Sequence, residues 1–283
     1  MSGLNYKAPG EVIKTFMKDD SFFRGVRGPV GSGKSVSCCI EIFRRAAKQE
    51  PSPDGKRKSR WAVIRNTNPQ LKTTTMKTWL DWFPENLFGN FTYSVPFTHH
   101  IKINDIELEV IFLALDRPED VKKLLSLELT GVWINEAREI PKTIVDACTM
   151  RVGRFPSMKD GGPTWYGVIA DTNAPDEDHW WSIMSGEVPV PDHMNQEDSL
   201  MLVKPDNWKF FVQPPGMIEK KEDDKIKGYE LNTTAENIKN VTPEYYSNII
   251  RGKSKSWIDV YVLNRLGTIE DGKLVYGSFR EDT

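Results

Sequence analysis

GPVGSGKS, residues 28–35, stands between SFFRGVR, which reads as a strand, and a segment with apolar residues at 36, 39, 40, 43 and 47, which is helical spacing. It matches G-x-x-x-x-G-K-[ST], and strand, loop and helix in this order are the context the motif needs. Gly28, Gly31 and Gly33 free the backbone to wrap phosphates with its N–H groups, and Pro29, Val30 and Ser32 complete the cradle. The helix N-terminus adds positive potential. Lys34 is expected to reach the β- and γ-phosphates of ATP, and the Ser35 hydroxyl to coordinate Mg²⁺.

Roughly a hundred residues downstream, the apolar run Gly131-Val-Trp-Ile leads to Asn135-Glu136. A second nucleotide strand usually ends Asp-Glu, its Asp holding Mg²⁺ through water. Asn135 keeps a carbonyl oxygen for that water and loses the charge. Glu136 keeps the general base that polarises the attacking water. Hydrolysis is therefore expected to be retained, with weaker metal affinity; a site that binds nucleotide without turnover is the alternative. A third strand, Gly167-Val-Ile-Ala-Asp-Thr-Asn173, ends in polar residues. Thr172 and Asn173 read either as reporters of the γ-phosphate or as an ordinary strand end before a helix cap at Asn173 or Asp176.

The 283 residues suffice for one large α/β domain or two small ones, and the composition is that of soluble globular proteins. No apolar run approaches the ~20 residues of a membrane span, and MSGLNYKAPGEVIKTF lacks the apolar core of a signal peptide. Cys38, Cys39 and Cys148 have no metal spacing and suggest buried thiols in a reducing cytoplasm. The net charge of −2 hides an asymmetry: Glu41 to Leu80 carries ten Lys/Arg against three acids, whereas Asp171 to Asp198 carries eight acids and no Lys or Arg. A basic coat over the whole surface is excluded, and a basic face is not.

Along the chain, a short helix or arm precedes the first strand. PSPDGKRKSR reads as a loop, RWAVIRNT as a buried strand, and NPQLKTTTMKTWLDWF as a helix anchored by Leu71, Trp79, Leu80 and Phe83. FTYSV, HHIKIN and IELEVIFLAL read as strands, with a hairpin turn at Asn104-Asp105. PEDVKKLLSL and PKTIVDACTMRV read as helices, and WKFFVQP as a strand. EKKEDDKIKG reads as a solvated loop, and TPEYYSNIIRG and SWIDVYVLNRLG as two helices closed by glycine. Alternating strands and helices suggest a mostly parallel central sheet flanked by helices, with residues 1–205 as the ATPase core and 206–283 as its C-terminal part. Trp79/Trp82 and Trp180/Trp181 suit packing better than base stacking. His99-His100 lacks partner ligands and is assigned no metal.

The chain resembles the ATPase domain of the large terminase subunit of tailed bacteriophages. The resemblance rests on VRGPVGSGKS, WAVIRNTNPQLKTTT, ALDRPEDVKKLLSLELTGVWINEARE, GVIADTNAP and WIDVYVLNRLGTIEDGKLVYGSF, in that order over nearly the whole chain. It implies a P-loop NTPase fold of the RecA-like, additional-strand, catalytic-glutamate class. It also implies ATP and Mg²⁺ as ligands, Lys34 and Ser35 on phosphates and metal, Glu136 on water, and a coupling motif near Thr172-Asn173. Residues near Arg24 to Arg27 would lie by the adenine. Many members carry an arginine two residues after the first glycine; here Val30 occupies that place, and Arg27 is the candidate substitute.

The resemblance further implies a homo-oligomeric ring around double-stranded DNA, held without regard to sequence. The small terminase subunit and the capsid portal would be partners, in the host cytoplasm and transiently on the procapsid. A neighbour's basic residue can complete such a site; Arg117, Lys122 and Lys123 are favoured, with Arg138 also flanking the strand. Lys56-Arg57-Lys58-Arg60 and Arg65, Lys72 and Lys77 are candidate phosphate contacts. The family's C-terminal nuclease domain would begin about where this chain stops. Glu270, Asp271, Glu281 and Asp282 make no metal cluster, so no nuclease activity is expected. Helicase-type ATPases and non-hydrolysing nucleotide switches are the rival classes.

Overall fold

The computed structural model describes residues 5–115, 120–192, 194–223 and 225–269. Eight strands form one sheet: β1 (Phe23–Arg27), β2 (Arg57–Arg65), β3 (Gly89–Thr92), β4 (Phe97–Ile103), β5 (Ile106–Ala114), β6 (Gly131–Asn135), β7 (Gly167–Thr172) and β8 (Trp208–Val212). Their spatial order is β3-β4-β5-β2-β6-β7-β1-β8. From β5 to β8 all neighbours are parallel, and β3 and β4 extend one edge antiparallel. β4 and β5 meet in a two-residue hairpin at Asn104-Asp105, where Asn104 takes φ +53°. β7 lies between the phosphate-loop strand β1 and β6, which ends at Asn135. This interposed strand defines the additional-strand class that the resemblance implies.

The central strands are apolar on both faces, as a sheet covered by helices on both sides requires. Side chains alternate, so Trp61, Val63, Trp133, Ile169 and Val26 join one core with helices α1 (Glu11–Lys18) and α2 (Lys34–Lys48). Ala62, Ile64, Val132, Ile134, Val168 and Ala170 join the other, with Ile144, Val145, Trp180 and Trp181. Trp79 and Trp181 are fully buried, so these aromatics are core. The three cysteines are free and buried.

Several local expectations differ. The helix expected over 68–83 is continuous from Asn68 to Trp82 but widens to a π-type turn at Leu71–Met76. The loop PSPDGKRKSR ends early, because Arg57 already pairs with Ile106 as the first residue of β2. The charged run 219–228 is a hairpin rather than a loop. β9 (Met217–Glu222) pairs antiparallel with β10 (Lys225–Leu231), and Lys220 and Glu230 form a 2.9 Å ion pair between the two strands. The two last helices are shorter than expected, at Tyr245–Ile249 and Lys255–Tyr261. No helix among the described residues is long and apolar enough to cross a membrane.

Candidate nucleotide site

The loop Gly28–Gly33 joins the end of β1 to the start of α2, at the carboxyl end of the parallel strands, where open α/β sheets bind ligands. Gly31 and Gly33 take φ of +72° and +84°, which a side chain would resist. At Gly28 the constraint is space: a Cβ there would lie 2.0 Å from Gln213 Oε1. Lys34 is 6% exposed. Its ammonium donates to Pro29 O at 2.8 Å and to Ser32 Oγ at 3.4 Å. Among the described residues no carboxylate lies within 4 Å of it. Burial lowers the Lys34 pKa, and the Glu136 and Asp171 charges oppose the shift. A buried cation with only neutral partners inside a turn of backbone N–H groups fits an anionic phosphate.

Two strands away, Glu136 follows β6 with φ +57°, in the left-handed region. Its Oε2 accepts from Asn173 N at 3.4 Å, and Asn173 Nδ2 donates to Gly28 O at 2.9 Å. Asn173 thus ties Glu136 to the phosphate loop across β7. Thr172 Oγ1 accepts from Arg138 N and donates to Asn173 O. Loss of hydration raises the Glu136 pKa and Asp171 raises it further, against Lys34 and Arg65.

Asn135 does not present its carbonyl to the site. Its Oδ1 accepts from Thr75 Oγ1 at 2.6 Å, and its Nδ2 donates to the Asp171 carboxylate at 3.0 and 3.2 Å and to Ser35 Oγ at 3.4 Å. The π-type turn at Leu71–Met76 carries that threonine. The oxygen expected to hold the metal's water is therefore engaged, and the acid beside Ser35 is one that sequence reasoning missed: Ser35 Oγ donates to Asp171 Oδ2 at 2.7 Å. Its signal was a charged residue ending the apolar run Gly-Val-Ile-Ala, in phase with Ile169 on the α2 face.

Other expected residues are placed differently. Arg27 is buried and paired with Glu187 at 2.8 Å through Nη2, while its Nε and Nη1 have no hydrogen-bond partner among the described residues. Arg24 donates to Phe16 O and pairs with the buried Glu41 at 2.9 Å, so it is part of the core. Neither lines the cavity of about 710 Å³ beside Gly33 and Val36, which Tyr6, Trp82 and Asn237 help to form. Lys122 and Lys123 are exposed on the short helix Val121–Leu125, and Lys123 pairs with Asp120 at 2.6 Å. Arg117 lies outside the described residues, as do Glu270, Asp271, Glu281 and Asp282. Arg138 is 3.8 Å from Asp176. In the basic stretch, Arg57, Lys58, Arg60 and Arg65 pair with Asp105, Asp54, Glu109 and Glu139, while Lys72 and Lys77 are exposed. His99 is a buried spacer, accepting from Trp79 Nε1 and bonded to Gly89 O.

The interposed strand, the glycine loop and Glu136 define a P-loop NTPase fold of the additional-strand class. No family model and no curated protein matches the chain. Solved structures do. The large terminase of a thermophilic bacteriophage, solved with ADP, superposes with a TM-score of 0.61 at 11% identity, over 91% of this chain and 52% of that one. The same protein solved with ATP-γ-S gives a TM-score of 0.57 at 11% identity, over 91% and 51%. The ATPase domain of the Thermus phage P74-26 large terminase gives 0.52 at 13% identity, over 93% of this chain and 95% of that one. The chain has the fold of a large-terminase ATPase domain, and it spans about half the length of the first of these proteins.

Proposed function

We propose that the chain is an ATPase that hydrolyses ATP to ADP and phosphate and drives double-stranded DNA into a viral procapsid. The observation that carries the reading is the buried Lys34 ammonium, held only by neutral acceptors in a glycine loop, with Glu136 tied to that loop through Asn173. Lys34 and the loop N–H groups bind the β- and γ-phosphates. Glu136 takes a proton from the attacking water. The Ser35 hydroxyl and the Asp171 carboxylate beside it suit Mg²⁺, which neutralises phosphate charge when bound. Thr172 and Asn173 lie between base and loop, so a γ-phosphate contact there would be relayed to both.

The packaging role rests on the shared fold and on the sequence resemblance. In that role the chain works as a ring around DNA, with the small subunit and portal as partners on the procapsid in the host cytoplasm. Arg117, Lys122 or Lys123 reaches a neighbouring site, and exposed Lys72 and Lys77 touch the phosphate backbone. The first test is ATP turnover against protein concentration, with Lys34→Ala and Glu136→Gln beside the wild type. The reading expects turnover that rises faster than linearly, no ATP binding in Lys34→Ala, and binding without turnover in Glu136→Gln. Wild-type protein that binds no ATP would sink it. For the DNA role, duplex binding should weaken steeply with salt and ignore sequence; affinity independent of ionic strength would contradict it.

A further inference from the structure

We propose that Asp171, on the strand between the phosphate loop and Glu136, is the carboxylate that secures the divalent cation of the bound nucleotide, in place of the Asn at 135. The inference rests on the nucleotide-hydrolysis reading and deepens it.

Alternation along two paired strands makes the placement. Trp133 and Asn135 on β6, and Ile169 and Asp171 on β7, all face α2. Asn135 and Asp171 are register partners, at equal depth along the sheet. An acid moved from one position to the other stays beside the first turn of α2. There Asp171 accepts from the Ser35 hydroxyl at 2.7 Å, the hydroxyl that the phosphate-loop motif assigns to the metal.

The partners of the carboxylate point the same way. Asp171 is fully buried. Its carboxylate accepts from Trp133 Nε1 at 2.8 Å, from Asn135 Nδ2 and from Ser35 Oγ. All three donors are neutral. Among the described residues no Lys, Arg or His nitrogen lies within 4 Å of it. A buried charge is expensive without a counter-charge. A single carboxylate with a hydroxyl, next to a phosphate cradle, is the sparse oxygen set that suits Mg²⁺, which keeps waters and takes substrate phosphates as further ligands.

The same geometry accounts for Asn135. An acid at 135 would set two carboxylates about 3 Å apart, where like charges repel. An amide there removes the repulsion and donates to Asp171, while Thr75 satisfies its carbonyl. The pair holds one carboxylate and one amide, with the acid on the inner strand.

Asp171→Asn is the test, because each bond can be kept: the new carbonyl accepts from Trp133 and Asn135, and the new amide donates to Ser35. Mn²⁺ affinity of the full chain with ADP is read by electron paramagnetic resonance of the free ion, and ADP affinity in chelator by calorimetry. Asp171→Asn is expected to weaken Mn²⁺ by about 10–100-fold and to leave metal-free ADP affinity unchanged. The exchange variant Asn135→Asp/Asp171→Asn keeps one carboxylate in the pocket and is expected to bind Mn²⁺ within a few-fold of wild type; it stays informative if the single variant does not fold. Wild-type ADP binding that needs Mn²⁺ but is unchanged in Asp171→Asn overturns the assignment alone. So does an equal loss with and without metal. Wild-type ADP binding indifferent to Mn²⁺ overturns the hydrolysis reading as well.

Discussion

At the scale of single residues, Glu136 is held in a backbone conformation that few side chains other than glycine adopt. Its φ of +57° stores strain of about 1–3 kcal/mol, and a residue kept there needs a reason. The left-handed turn ends β6 abruptly and sets the carboxylate against Asn173 N instead of continuing along the strand. Glu136→Gln keeps the backbone and the shape and removes the base. ATP affinity should change little while kcat falls by about 10²–10⁴-fold; equal losses in both would make Glu136 a binding residue. The pH profile follows from the same burial. A base must be ionised, and a raised pKa is crossed sooner on acidification. The acid limb of kcat/KM should therefore lie above the ordinary glutamate value of ~4.3. Lys34 is shifted down, so nucleotide binding to the free protein should fade on the alkaline side below the ordinary lysine value of ~10.4. A profile flat between those two values would contradict both assignments. The place of Glu136 at the end of β6 was legible because it directly follows an apolar run. The place of Asp171 beside Ser35 was not, because it depends on which strand lies beside β6, and strand order is not written in local pattern.

At the scale of elements, long apolar strands and the phosphate loop were legible, and short helices and their ends were not. β2, β5, β6 and β7 are buried on both faces, so their composition alone marks them. The run 219–228 has no apolar face to betray a strand; it pairs through an antiparallel backbone ladder, with Lys220 and Glu230 facing across it. Charge in 56–65 read as a basic patch because acids that neutralise it, such as Asp105, Glu109 and Glu139, come from other elements. The helix Trp180–Met184 shows how an element can carry a titration. Its cap is His179, whose Nδ1 accepts from Trp181 N at 3.1 Å and must be neutral to do so. Burial, and then Arg138, lowers its pKa to about 4, while an unfolded imidazole titrates near ~6.5. Between these values the unfolded chain binds the proton and the folded chain does not, so stability is complete above ~6.5 and is lost as pH falls through about 4. His179→Asn keeps a capping acceptor without the titration. Denaturant melts at pH 7 and pH 4.5 should show about 1–2 kcal/mol less acid destabilisation in the variant than in the wild type; identical losses would remove His179 from the acid response.

At the scale of the whole molecule, residues from both sides of position 205 meet at the phosphate loop. The phosphate loop is braced from outside by residues that follow it. Gln213, just beyond β8, accepts from Ser32 Oγ at 2.7 Å and donates to Ser32 O and to Glu236 Oε2. Glu236 in turn accepts from Val12 N and Ile13 N in the first turn of α1. Asn237 donates to Gly31 O, Tyr246 to Val30 O, and Val30 N to Tyr261 O. Glycines give the loop its shape at the expense of rigidity, and this shell restores the rigidity by fixing backbone groups of the loop. Nothing local in the sequence marks Gln213, since its partners lie 181 and 23 residues away. Gln213→Ala would remove one bond each from the Ser32 hydroxyl, the Ser32 carbonyl and the Glu236 carboxylate at once. Stability should drop by about 1–3 kcal/mol, read as a lower denaturant midpoint at unchanged slope. If the brace also sets the loop for phosphate, ADP affinity should fall by about tenfold, equivalent to about 1.4 kcal/mol, under conditions where the variant is fully folded. A variant that is less stable yet binds ADP as tightly as wild type would show that the glycine loop holds its own geometry, and that the C-terminal part serves the fold without governing the site.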